Sequence, residues 1–506
     1  MLANKVRSID VVRRGLLPVL FAVFCACCGE GRWSKPEAYF TFGTSTLAMH
    51  TAVDSLDVVW EISNGPDEQI WYAEQSGTIT RYDPETGAKR ELLHISDVYR
   101  ERTGGLLGMT VHPDMARHPY VFIAYVAKKT AAEAEPVSRI VRYTYADDTL
   151  RSPLVMLEYA AWSGHFGARL AIAPDGRLMI ATGDGGQFDN AQNLDVPHGK
   201  ILRYNIDGTI PLDNPIAGSA VWAWGLRNPQ GLAFATDGQL YHAEHGDAIA
   251  DEVNRVVKGK NYGWPQVEGT IDTDMEAAFA RDSVIQEPLY AWTPTIAPAG
   301  VAFYASEAIP EFYNSLLLTT LKGNALHVLR LADSGDKIES DSVLFQRLFG
   351  RLRSVCVTPE GHIYVGTSNR DWNPNGFAGV RDDRIIRLSP VDRRDLKGII
   401  PRPAALPRQR DVASRGAMLY TDYCASCHQE SGRGVEGMVP SLYRATPVAV
   451  ADGDSLISLA LTGRGEMPAF DFLSDDDLAV VLSYVRKRFG PQASQVSTAE
   501  IGKHRK

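Results

Sequence analysis

Between residues 50 and 392 the chain repeats one pattern of apolar and polar positions. A turn carrying Gly, Asp or Asn precedes a short, β-rich apolar run, and a second, alternating run often carries Arg. The first runs are Ile70–Ala73, Tyr120–Val126, Leu178–Gly183, Leu240–Glu244, Leu316–Leu321 and His362–Gly366. The second runs include Thr78–Tyr82, Arg139–Tyr143, Lys200–Tyr204, Ala325–Leu331 and Arg384–Leu388. Turn signals such as Pro174-Asp175-Gly176, Thr236-Asp237-Gly238 and Pro359-Glu360-Gly361 stand just before three of them. Long amphipathic helical patterns are nearly absent here. Six units over this stretch average about 57 residues each, close to a propeller blade with loop insertions. One small sheet cannot bury both its faces, whereas a ring of sheets buries each against its neighbours and leaves only short edges. The pattern predicts an all-β six-bladed β-propeller of four-stranded antiparallel blades over residues 50–392. The alternatives, a β-sandwich or two unrelated β domains, do not account for six copies of one unit.

After Ser389 the pattern changes. Ser389 to Arg410 is rich in Pro, Arg and Asp and has no apolar period, which predicts a linker, residues 393–410, between two domains. Residues 411–490 then read as a small all-α domain. Leu478, Val481, Leu482, Val485 and Phe489 form one helical face. Ser474 with Asp477 caps that helix, Asp475 to Asp477 and Arg486 to Arg488 complement its dipole, and Gly490-Pro491 ends it. Asp411 is placed to cap an earlier helix whose Gly416 and Tyr420 would cross Val481 and Tyr484. Between them lies Cys424-Ala425-Ser426-Cys427-His428. Two thiols at this spacing can add to the vinyl groups of haem, and the adjacent His428 reaches the iron. A redox or zinc site is the competing reading of two such cysteines, and the trailing His argues against it. Met467, in Gly465-Glu466-Met467-Pro468, is the expected second axial ligand, with Met438 as competitor. This segment resembles class I cytochrome c, which implies covalent haem c. Residues 491–506 read as a tail.

The N-terminus carries Arg13-Arg14 before the apolar run Gly15 to Cys28. At about 14 residues the run suits a signal-peptide core and is too short to span a bilayer. Phe24-Cys25-Ala26-Cys27 resembles a bacterial lipobox. The expectation is a signal of lipoprotein type over residues 1–28, a linker over 29–49, and a periplasmic or cell-envelope protein lipid-anchored through Cys27 or Cys28. The formal charge of −9 sets nucleic-acid binding aside, and six cysteines in 506 residues are too few for a disulfide scaffold. Cys356 reads as a buried strand cysteine with no redox role.

Polar groups cluster within the predicted propeller. Arg227-Asn228-Pro229-Gln230-Gly231 reads as a rigid loop presenting polar side chains. Lys322 ends a strand, and Arg351 and Arg353 alternate about Leu352, so both point to one face. Four such cations in an acidic protein point to a polyanionic ligand. His165 lies in Gly164-His165-Phe166-Gly167, and Glu244-His245-Gly246-Asp247 is followed by Asp251-Glu252 and Asn261-Tyr262-Gly263.

On these motifs, with Leu106-Leu107-Gly108, His112-Pro113-Asp114 and Gly183-Asp184-Gly185-Gly186, residues 55–390 resemble the soluble glucose and sorbosone dehydrogenase family. The resemblance implies a propeller that uses pyrroloquinoline quinone (PQQ) and calcium to oxidise aldoses to lactones. It implies that His165 is the general base. It implies that Arg227, Asn228, Thr295, Lys322, Arg351 and Arg353 bind the quinone. Gly246 and Asp247 would give main-chain carbonyls to a catalytic calcium, and Glu252 and Tyr262 would belong to a second, structural one. The chemistry agrees: PQQ has three carboxylates for Arg and Lys, calcium takes oxygen ligands, and a neutral imidazole accepts a hydroxyl proton. Thr103 and Gly164 depart from residues found in parts of the family near the substrate, so glucose specificity does not carry over. The expected partners are a small sugar and, downstream of haem, a second cytochrome or a terminal oxidase. Two other functions fit a propeller: a calcium-dependent lactonase, and a non-catalytic binding protein whose haem relays electrons.

Overall fold

The computed structural model describes residues 35–65, 67–101, 103–128, 135–162, 164–371, 378–391, 415–435, 439–443, 453–465, 467–490 and 495–505. Each pair of apolar runs proves to be the middle two strands of a blade. Blade 1 is Val59–Asn64, Ile70–Glu74, Thr78–Tyr82 and Lys89–His94. Blade 2 is Leu106–Val111, Tyr120–Ala127, Val137–Ala146 and Thr149–Ala160. Blade 3 is Gly167–Ile172, Leu178–Thr182, Lys200–Tyr204 and Val221–Trp224, and blade 4 is Pro229–Phe234, Leu240–Glu244, Asp251–Arg255 and Tyr290–Trp292. Blade 5 is Pro298–Tyr304, Ser315–Thr320, Ala325–Leu331 and Ile338–Leu344. All pairings are antiparallel, as four hydrogen-bonded neighbours joined by short turns require.

Blade 6 corrects two expectations. Its strands Leu352–Val357, Ile363–Thr367 and Ile385–Pro390 are completed by Ser45–Val53 and then by Ala38–Phe42, giving five strands rather than four. Met49 lies opposite Leu388 and Phe40 opposite Leu47. Residues 38–49, read from the sequence as linker, are therefore propeller. A ring built in chain order leaves an unpaired edge on its last blade, and pairing that edge with the start of the chain closes it.

The first strand of each blade touches the first strands of both neighbours, so these six strands line the axis. Apolar clusters fill the junctions between blades: Trp71, Met109 and Ile123 between blades 1 and 2, for example, and Tyr241, Leu318 and Leu329 between blades 4 and 5. The axial strands carry polar side chains. Arg169 there pairs with Glu61 of blade 1 and donates to the carbonyls of Gln230 (2.6 Å) and Arg353 (3.4 Å) of blades 4 and 6.

Helix α1 (Asp274–Asp282) lies in the long connection of blade 4 and starts with a Thr273–Glu276 capping box. The C-terminal unit contains α2 (Arg415–Tyr423), α3 (Ala425–His428), α4 (Asp454–Thr462), α5 (Asp475–Phe489) and α6 (Thr498–His504). Ser474 and Gly490 cap α5, as the sequence predicts. Gly416 lets α2 cross α5 closely: an added Cβ would stand 2.7 Å from Cβ of Tyr484 and 2.8 Å from the Val480 carbonyl. The segment 491–506 is more than a tail. Its helix α6 buries Ile501 in the domain core, and Arg505 pairs with Asp475. Asp411, Met438, Cys27, Cys28 and the linker 393–410 lie outside the described residues.

Candidate active site

His165 sits in the loop entering the axial strand of blade 3, with a left-handed backbone (φ 48°). Its Nδ1 lies 2.7 Å from Oδ1 of Asp184, a fully buried carboxylate. Asp184 also accepts the main-chain N–H of Gly186 (2.7 Å) and the indole N–H of Trp264 (2.8 Å). A carboxylate so placed accepts a hydrogen bond from Nδ1–H and leaves Nε2 as the basic nitrogen. Burial pushes the His165 pKa down and the Arg227 charge adds to this, against the pull of Asp184. The ring is therefore neutral at neutral pH, the state a base needs. Phe188, half in solvent, is parallel to the imidazole at 6.5 Å. At Gly164 an added Cβ would meet nothing within 4 Å among the described residues, so this departure leaves open space next to the base.

The four cations are not equivalent. Arg353 is spent on the fold: it bonds Ser368 (2.9 Å) and Asp371 and lies over the Trp60 ring at 3.7 Å. Arg351 reaches the same Asp371 at 3.7 Å, so the two arginines do share a face and one carboxylate answers both. Arg227 pairs with Asp247 at 2.6 Å and lies over Trp264. Nε of Arg227 and Nε of Arg351 are buried without a hydrogen-bond partner among the described residues. Lys322 donates to Thr295 Oγ1 at 2.8 Å. Asn228 acts as a brace, its Oδ1 accepting from the Gly167 main chain (3.2 Å) and from Gln230 (3.0 Å). Orphaned guanidinium N–H groups are costly unless an anion receives them, so the set fits a ligand with several carboxylates.

These residues form one connected wall. Asp251 ties it together: Oδ2 accepts the main-chain N–H groups of Ile296 and Ala297, next to Thr295, and Oδ1 accepts that of Gly246. Gly246 is required there, because a Cβ would stand 1.9 Å from the Ile249 carbonyl.

Behind the Gly246–Asp247 turn lies a cavity of about 20 Å³, large enough for one ion or water, lined by Arg227, Glu244, Glu252, Tyr262 and Glu268 among others. Burial, reinforced by mutual repulsion, raises the Glu244 carboxyl well above its usual range. It pushes Glu252 and Glu268 each up to about 7. Glu252 accepts from Gly269 and from Asn254, both at 2.8 Å. The Tyr262 hydroxyl is spent on the main chain of Arg255 (2.6 Å) and Val257 (2.9 Å), so its contribution to a cation would come from its carbonyl. Among the described residues no three His, Cys, Asp or Glu side chains make a ready metal-ligand group. A hard cation here therefore draws on main-chain oxygens too, which suits calcium. The sequence reading missed Glu268, which no local spacing links to Glu252, and missed Glu244 as an acid of this pocket.

In the C-terminal unit His428 is half-buried with Nδ1 3.2 Å from the Pro440 carbonyl, which orients Nε2 for iron. Pro440 carried no signal of its own in the sequence. Cys424 and Cys427 are not joined in a disulfide. Met467 and Cys424 both pack against the apolar core of this unit.

The family model described as Glucose / Sorbosone dehydrogenase matches residues 56–373, and that described as Cytochrome C oxidase, cbb3-type, subunit III matches residues 411–485. An aldose sugar dehydrogenase of Escherichia coli is 29% identical over 364 residues, covering 69% of this chain and 95% of that protein. Quinoprotein glucose dehydrogenase B of Acinetobacter calcoaceticus is 30% identical over 389 residues, covering 60% and 81%. The PQQ-bound aldose sugar dehydrogenase of Streptomyces coelicolor superposes with a TM-score of 0.59 at 29% identity, covering 68% of this chain and 98% of that one.

Proposed function

The chain belongs to the glucose and sorbosone dehydrogenase family, with a cytochrome c domain behind the propeller, and from that premise we propose that it oxidises an aldose-type sugar at the anomeric carbon to a lactone. It is an oxidoreductase of the PQQ-dependent kind carrying haem c. The observation that carries the finer reading is the neutral His165 imidazole, held by Asp184, on a wall of incompletely paired cations.

When bound, PQQ supplies a two-electron acceptor for hydride and haem c a one-electron outlet. The protein does the rest. Arg227, Lys322 and Arg351 hold carboxylates, Arg353 fixes Arg351 through Asp371, and Thr295 positions the Lys322 ammonium. Nε2 of His165 takes the proton from the anomeric hydroxyl, and Asp184 keeps the ring in the tautomer that can do so. In this reading calcium is held at the Gly246 and Asp247 carbonyls, and a second calcium occupies the pocket of Glu252 and Tyr262 with Glu244 and Glu268. A hydrolase would need neither this set of cations nor a haem, and His165 held by Asp184 speaks against a purely binding propeller. The proposal includes export, a lipid on Cys27 or Cys28, and transfer from haem to a second cytochrome or a terminal oxidase. Mass spectrometry of the mature N-terminus tests the anchor, and an unlipidated terminus beyond Cys28 removes it.

The central test is a haem-reduction assay. The haem-loaded protein is given PQQ, calcium and a panel of aldoses and sugar alcohols, with no dye. Reduction that requires both quinone and one sugar class is the expected result. No reduction by any member, while dithionite still reduces the haem, counts against sugar oxidation.

A further inference from the structure

The haem domain contacts the propeller at the quinone-site wall itself. The Lys322 ammonium, besides bonding Thr295, donates to the main-chain oxygen of Asp422. Asp422 is in the last turn of α2, two residues before Cys424. The final carbonyls of a helix have no partner within it and carry the negative end of its dipole, so a cation from another domain suits them. Ala248, one residue beyond the Gly246–Asp247 turn, packs against the apolar core of the haem domain. Burial raises the pKa of the half-buried Asp422 carboxylate, against the pull of the Lys322 and Arg347 charges. Lys322 and Arg347 both lie on loops of blade 5, at the same end of its strands. One side chain thus belongs to two sites. An ammonium has three N–H donors; two go to Thr295 and Asp422, and the third remains for a cofactor carboxylate.

We infer that Asp422 is a positioning residue that docks the cytochrome domain onto Lys322 and Arg347, holding the haem attachment site beside the quinone pocket. The inference rests on the functional reading above for its purpose, though not for its geometry. Oxidation of one sugar releases two electrons and two protons. When bound at Cys424, Cys427 and His428, the haem would supply a one-electron outlet, Fe(III) to Fe(II), so the two electrons would leave one at a time for an external one-electron acceptor of the cytochrome or oxidase class. The protons go to solvent. The contact consists of one charged hydrogen bond, one methyl group and a set of opposite charges, so it is weak enough to release the domain toward that acceptor.

Asp422→Arg in the full-length, haem-loaded protein is the test, because it sets a cation against two cations while leaving every proposed cofactor ligand in place. Small-angle scattering without quinone or sugar should show a larger radius of gyration than the parent. After mixing with quinone, calcium and sugar, haem reduction should slow at least tenfold while dye-coupled sugar oxidation stays within twofold. Adding Arg347→Asp should restore the compact scattering. Parental scattering and parental haem reduction in Asp422→Arg would overturn the docking role. If no sugar reduces dye or haem even in the parent, the functional reading fails, and scattering still decides the docking.

Discussion

Two polar regions meet at the Gly246–Asp247 turn, and they are opposite in charge. On one side Arg227 is answered within the fold by Asp247, and Arg351 and Arg353 by Asp371, while the Lys322 ammonium bonds Thr295 and the Asp422 main chain. On the other Glu244, Glu252 and Glu268 line a cavity whose one cation is Arg227, already paired with Asp247. The protein leaves each region incomplete in the sense its ligand would repair: an anion for the first, a divalent cation for the second. Buried charge of one sign is costly until a partner arrives, so, the structural Arg353–Asp371 pair apart, both regions suit the proposed ligands.

The sharpest way to test this contrast is at the base on the cationic side. His165→Ala should lower turnover by about 10²–10⁴-fold, the range for a positioned general base, with quinone affinity unchanged. Titration of PQQ into the variant, alongside sugar oxidation with a dye, reads both; near-normal turnover would end the role. The next effect separates the arginines. Arg353→Ala removes the nearer of the two arginines paired with the buried Asp371, and should cost about 3–5 kcal/mol of stability by urea unfolding. Arg351→Ala should cost much less stability and mainly weaken quinone binding. Equal destabilisation would mean that both are structural.

The acidic side is broken by calcium and pH. Binding at a hundredfold above Kd should stabilise the protein by about 2.7 kcal/mol, and Glu252→Gln should remove most of that gain in thermal unfolding. The pH dependence has a definite sign. Below about 4.5 these acids are protonated in folded and unfolded chains alike. From there to about 7 the folded chain keeps protons that the unfolded chain has released, so calcium-free stability falls as pH rises. Calcium should flatten that decline; a decline untouched by calcium would dissociate the pocket from the metal.

The smallest effect is expected outside both regions. Cys356 lies in the apolar cluster between blades 6 and 1, where burial pushes its thiol up to about 12. Cys356→Ser should cost about 1 kcal/mol and leave activity per folded molecule within twofold.

The middle strands of the blades were legible because they are buried on both faces and so nearly continuous in apolar residues, as in Leu178–Thr182 and Tyr120–Ala127. The axial strands were not, because Glu61, Arg169, Gln230 and Arg353 interrupt their apolar pattern to face the axis. The same strands and their loops carry the chemistry. The motifs marked His165, Arg227, Lys322 and Arg351 as individual candidates, but Asp184 as the carboxylate behind His165 and Asp371 as the shared counter-charge are long-range partners. Residues 38–49 read as linker for a related reason: their apolar positions have a purpose only when the chain's end returns to pair with them.

Sequence by itself determined the repeat, the strand alternation, the haem-attachment motif and the capped helix α5. Each is local: a turn, an alternation or a cap is settled by residues a few positions apart. The tertiary structure decided what depends on residues far apart in the chain: the closure of blade 6 by the N-terminal strands, the difference between a spent Arg353 and an incompletely paired Arg351, and the gathering of Glu268 with Glu252. It also decided that the loop bearing Lys322 meets the helix bearing Asp422. Coulomb energies and desolvation depend on distance and burial in three dimensions, and neither is written in the spacing of residues along a chain.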